Sequence, residues 1–148
     1  MIPARAAARR LGRPLVTVLL VLTACGPARP APTGVPVDLT LHDFHIDAAT
    51  QQVPSGRVLF HIHNAAPATH EFVVVRTNLP ATRLPIASDG LSVDEDALTS
   101  VGEDSDVDAG TTGLLSLNLP PGRYVYFCNL EGHYLGGMHG VLEVTSGA

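Results

Sequence analysis

Lysine is missing from this chain: all nine basic residues are arginine, and four of them (Arg5, Arg9, Arg10 and Arg13) precede the first apolar run. From Cys25 onward five arginines face fourteen acids, a formal excess of nine negative charges. Phosphate binding needs a basic surface, so nucleic acid is excluded as a partner. No apolar run reaches the ~20 residues that a membrane-spanning helix requires. No internal repeat is present, and beyond the leader no stretch carries sustained helical periodicity. The acids do not fall in EF-hand spacing. Cysteine and methionine are scarce as well, two of each, at Cys25 and Cys128 and at Met1 and Met138.

What is present divides the chain into a leader, a tether and one domain. Residues 1–24 read as an export signal, with an arginine-rich start, the apolar stretch Leu15–Leu22 and then small residues. Its end, Leu22-Thr23-Ala24-Cys25, resembles the lipobox of bacterial lipoproteins, which implies cleavage before Cys25 and lipidation of its thiol. Arg9-Arg10 hints at a twin-arginine route, but the flanking residues fit it poorly. Residues 25–35 are punctuated by Pro27, Pro30 and Pro32 and are expected to form an extended tether. At ~3.1 Å per residue it could hold a domain roughly 30 Å from a membrane. The expected location is therefore outside the cytoplasm, lipid-anchored to the outer face of the cell membrane or in the periplasm.

The domain, residues 36–146, reads as all-β. Short runs rich in Val, Ile, Leu, Phe and Tyr fall near Val37–Leu41, Arg57–His63, Glu71–Arg76, Gly113–Leu119, Arg123–Cys128 and Gly140–Val144, separated by Gly, Pro, Asn and Asp. So many short strands imply a sandwich or a barrel. Pro120-Pro121-Gly122 suits a type II turn, which predicts a hairpin of Leu114–Leu119 with Arg123–Cys128. Between Asp89 and Asp108 lie eight acids and no base. That segment reads either as a solvated loop insertion or as a docking patch for a basic partner, with a short helix conceivable over Val93–Val101.

Chemistry concentrates after the fifth of these runs. With Cys25 acylated, Cys128 has no disulfide partner in the chain. It opens the segment Cys128-Asn129-Leu130-Glu131-Gly132-His133-Tyr134-Leu135-Gly136-Gly137-Met138, which puts a thiol, an imidazole and a thioether within eleven residues. Two histidines, one cysteine and a weak axial methionine make the donor set of blue copper, and one loop supplies three of the four. The second histidine is expected at His70, which opens the run His70-Glu71-Phe72-Val73-Val74-Val75. Strand alternation agrees: His70 shares a face with Phe72 and Val74, and Cys128 with Tyr126 and Tyr124.

The segment C-x4-H-x4-M ahead of a final strand, with Asn64 and His70-Glu71-Phe72 upstream, resembles the cupredoxin family over roughly residues 35–144. The resemblance implies a Greek-key β-sandwich binding one type 1 copper ion through His70, Cys128, His133 and Met138, with Asn64 tying the ligand loops together. Glu131 departs from the family, many members of which carry proline before the Gly-His pair. The resemblance also nominates the edge of His133 as the electron port, flanked by Ala65, Ala66, Pro67, Ala68, Leu135, Gly136 and Gly137, where redox protein partners would dock.

The expected function is single-electron transfer between membrane-associated redox proteins by a monomeric carrier. Copper trafficking or storage is the alternative, although Met-rich or His-rich exchange motifs are missing. Catalysis is disfavoured because a catalytic metal keeps an open position, which Met138 would occupy. Of the other histidines, His42 and His45 lie early in the domain. His61 and His63 share the face opposite Phe60 and Ile62, where they read as surface residues or as a possible second metal pair. His139 is expected near the copper but not as a ligand.

Overall fold

Alternating apolar residues, which put every second side chain on one face of a strand, organise the domain. The computed structural model describes residues 33–147, so the leader and the lipidation expected at Cys25 lie outside the described residues. Among the described residues nine strands form: β1 Val35–His42, β2 His45–Ala48, β3 Gln52–Pro54, β4 Gly56–Asn64, β5 His70–Arg76, β6 Thr99–Val107, β7 Thr112–Leu119, β8 Gly122–Phe127 and β9 His139–Thr145. A four-residue helix, α1 His133–Gly136, precedes β9, and a 3₁₀ turn spans Glu95–Ala97.

The strands form two sheets in the orders β2-β1-β4-β7 and β3-β9-β8-β5-β6, with parallel pairing between β1 and β4 and between β3 and β9. Between the sheets lies the main core. The first sheet contributes Val37, Leu39, Leu41, Val58, Phe60 and Ile62, and the second Phe72, Val74, Tyr124, Tyr126 and Leu142. The expected all-β sandwich is therefore the observed one. β5 and β8 are buried on both faces: Val73 and Val75 of β5 and Val125 and Phe127 of β8 point outward and are covered by Leu84, Val93 and Tyr134. This second layer explains why the β5 run is continuously apolar rather than alternating.

Two expectations need correction. Pro120-Pro121-Gly122 does not close a hairpin, because β7 pairs with β4 in one sheet while β8 pairs with β5 and β9 in the other. Gly122 has φ 157°, nearly extended rather than the left-handed value a type II turn needs. The segment thus carries the chain from sheet to sheet. The acidic stretch, in turn, is a loop only in its first half; Thr99–Val107 is an edge strand on β5. Its charged, exposed side chains hid it from an apolar pattern, and they are the usual protection of a sheet edge. No α-helix forms there beyond the one 3₁₀ turn.

Candidate metal centre

Three loops meet at one end of the sandwich. The β4–β5 connection ends in His70, the first residue of β5, whose side chain is fully buried and faces the core side shared by Phe72 and Val74. β8 runs toward the same end and delivers Cys128, also fully buried, on the parity of Tyr126. The segment after it folds back on itself: Met138 N–H donates to His133 O at 3.1 Å, and Cys128 N–H to Met138 O at 3.0 Å. Gly132 and Gly137, with φ 79° and 118°, bracket α1 in left-handed conformations that a side chain would strain. That tight wrap aims His133 back at Cys128 and buries Met138 completely.

Nδ1 of His70 and of His133 stand 3.7 and 3.5 Å from Cys128 Sγ. Two donors ~2.0–2.3 Å from one ion, spread at trigonal angles, stand about 3.5–4 Å apart, so the spacing fits a shared metal. Among the described residues this trio is the group of three that brings its ligand atoms within 4.8 Å of one another. With Met138 the site has two imidazoles, a thiolate and a thioether, the donor set of type 1 copper.

The surroundings hold the metal-free cysteine as a thiol and keep the first histidine neutral. Burial pushes the Cys128 thiol up, while the backbone N–H groups of Leu130 and Glu71 work in the opposite direction. The Glu71 N–H donates to Sγ at 3.4 Å. Burial, followed by the neighbouring His133 charge, holds His70 below the ordinary histidine range, whereas Asp43 acts to raise it. Neutral imidazole is the ligating form, so this environment suits metal uptake.

Asn64 occupies the tying position expected of it. Its side-chain amide donates to Ala68 O and Val107 O, both at 2.7 Å, and its carbonyl accepts from Ala66 N–H at 2.9 Å. The loop before His70 is thereby fixed to the end of β6. Asn129, which sequence reasoning passed over, links the metal loop to the acidic segment through Val93 N–H at 2.7 Å and Glu95 Oε1 at 2.7 Å.

The remaining histidines separate from the site. His61 and His63 do face away from the core, but they take different partners, Asp38 at 2.8 Å and Thr112 at 3.3 Å. His42 and His45 both approach Asp47 on the β1–β2 hairpin. His139 packs against Tyr134, and burial holds it below the ordinary histidine range. Also missed were Asp43 and Phe44 in the β1–β2 turn, which reach His70 and His133; no spacing signal connects them to ligands so distant in sequence.

Comparison with known proteins agrees with this geometry. Residues 48–148 match the Sulfocyanin (SoxE) domain. A 40-residue stretch is 48% identical to auracyanin-B of Chloroflexus aurantiacus, a match spanning 26% of this chain and 17% of that protein's length. The structure of dithionite-reduced auracyanin from Roseiflexus castenholzii aligns with a TM-score of 0.57 at 20% identity, covering 77% of this chain and 99% of that one. An azurin from Methylomonas sp. strain J aligns with a TM-score of 0.53 at 14% identity, covering 77% and 100%.

Proposed function

The chain belongs to the sulfocyanin domain family of blue copper cupredoxins, and we propose that it carries single electrons between membrane-associated redox proteins outside the cytoplasm. The observation that carries the proposal is a closed, buried donor set: His70, Cys128 and Met138 are fully buried. When bound, copper supplies a one-electron couple there. The chain's own residues do the rest. Cys128 gives up its proton on metal uptake, with the Glu71 N–H directed at its sulfur. The two imidazoles present Nδ1 from different loops, and the buried Met138 would supply a thioether as the fourth ligand, leaving no open position for substrate or water. Donors held by strands and hydrogen-bonded loops would limit rearrangement between the two oxidation states of a bound copper.

His133 is the ligand with a partly exposed side chain, and Leu135 beside it is 53% exposed. An exposed apolar residue next to the one accessible ligand supports electron entry and exit at this end, with partners docking around His133. The arginine-rich leader and the lipobox-like Leu22-Thr23-Ala24-Cys25 support a lipid-anchored carrier on the outer side of the cell membrane.

Adding Cu(II) to the domain should give an intense blue band and a type 1 paramagnetic-resonance spectrum. Cys128→Ser should abolish the colour in a folded protein, and Met138→Leu should keep it while raising the reduction potential. A colourless, tetragonal signal from the unmodified protein would sink the copper assignment. Rapid transfer of copper to acceptors without redox turnover would favour trafficking over electron transfer.

A further inference from the structure

The two residues that connect β1 to β2, Asp43 and Phe44, both reach the metal centre. His70 directs Nδ1 at Cys128, leaving Nε2 on the far side of the ring, buried and without a hydrogen-bond partner. An unpaired buried donor costs about 1–3 kcal/mol. Asp43 Oδ1 stands 3.4 Å from that nitrogen, just beyond the reach of a well-formed hydrogen bond. Metal-ligating histidines ordinarily give their second N–H to a carboxylate or a carbonyl, which fixes the tautomer and raises the basicity of the ligand.

Phe44 is the one non-glycine with positive φ, 61°, among the described residues. A bulky side chain in left-handed backbone is strained by roughly 1–2 kcal/mol, and a turn shaped for stability alone would carry Gly or Asn there. The residue is 53% exposed, so core burial does not offset the strain. Instead it meets His133 edge-on, with ring centroids 5.3 Å apart. Gly136 makes room for it, since a Cβ at that position would collide with the Phe44 ring, and a Cβ on Gly137 would come within 3.0 Å of Phe44 O. Backbone strain held in place by contacts to a ligand loop is characteristic of functional sites.

We propose that the Asp43–Phe44 turn clamps both copper histidines. Asp43 is the positioning residue that takes the Nε2–H of His70 and keeps Nδ1 toward the metal, and Phe44 holds the ring of His133. The clamp rests on the copper assignment above. The carboxylate favours the more highly charged Cu(II), so removing it weakens Cu(II) binding more than Cu(I) binding and raises the reduction potential.

The test uses copper-loaded protein carrying Asp43→Ala, Asp43→Asn or, as a charge control on the same hairpin that does not touch His70, Asp47→Asn. Asp43→Ala should weaken Cu(II) binding about ten- to a hundred-fold, raise the potential, and speed solvent exchange of the His70 Nε2–H, followed by nuclear magnetic resonance in the Cu(I) form. Asp43→Asn, which keeps an acceptor, should largely retain the slow exchange. Phe44→Gly should lose copper to a chelator about tenfold faster, and Phe44→Tyr should restore the original rate. Equal potentials and equal His70 exchange in Asp43→Ala and Asp47→Asn would overturn the role of Asp43. Equal copper loss in all three residue-44 proteins would remove Phe44 from the clamp. Failure of the unmodified protein to become blue would instead strike the copper assignment, and is scored before any variant is compared.

Discussion

At the scale of single residues, the interior imposes its own chemistry on polar groups. Tyr126 lies in the core stacked on Phe72, with ring centroids 5.5 Å apart, and burial pushes its phenol up to about 12. An unfolded tyrosine ionises near 10. Between those values the folded chain holds a proton that the unfolded chain has lost, so stability falls as pH rises through roughly 10 to 12. The loss should amount to about 1–3 kcal/mol by the upper end. Tyr126→Phe should flatten that part of the profile in urea titrations at pH 9 and pH 11.5. A variant that loses stability as steeply as the parent would show that another group titrates. Cys128 follows the same physics: its burial resists ionisation in the metal-free chain, so metal uptake and proton release are coupled.

At the scale of elements, the site depends on ties between segments far apart in sequence. Asn64 fastens the loop before His70 to Val107 at the end of β6, 43 residues away. Asn64→Ala strips two carbonyls and one N–H of their partner and should cost about 2–4 kcal/mol. Copper loss to a chelator should accelerate in the same variant, because the loop carrying His70 is no longer pinned. Unchanged melting and unchanged copper retention together would show that the loop holds its shape without Asn64. The element that sequence reasoning misjudged teaches a related lesson. Pro120-Pro121-Gly122 marks an interruption between two strands, but the hydrogen-bond partner of each strand is chosen by the core, and here the two join different sheets.

Across the whole molecule, charge is unevenly placed. β5 runs from His70 at the metal end to Arg76 at the other, β8 carries Arg123 near its start and leads back to Cys128, and β4 carries Arg57 near its start and Asn64 at its end. Three strand arginines therefore sit away from the metal. Near it are Asp43, Glu71 and, through the pairing of Val107 with His70, Asp106 and Asp108. A basic redox partner docking as proposed would be steered toward the His133 end by such a field. Electron transfer to a basic acceptor should slow by about tenfold between ~0.01 M and ~0.15 M salt, as the Debye length shrinks from about 30 Å to about 8 Å. Stopped-flow rates that rise with salt would reverse the sign of the docking surface.

The sequence alone determined those features that follow from local spacing. Period-two alternation assigned the faces of His70, Phe72, Tyr126 and Cys128 correctly, and C-x4-H-x4-M placed three donors on one loop, because side-chain direction along a strand depends only on neighbouring residues. Strand pairing does not: it is a long-range choice, so the polar edge strand β6 and the separation of β7 from β8 emerged only in the folded chain. The β1–β2 turn is the clearest case. His-Asp-Phe-His reads as an ordinary polar interruption, and only the packing of that hairpin over the metal loop brings Asp43 to His70 and Phe44 to His133.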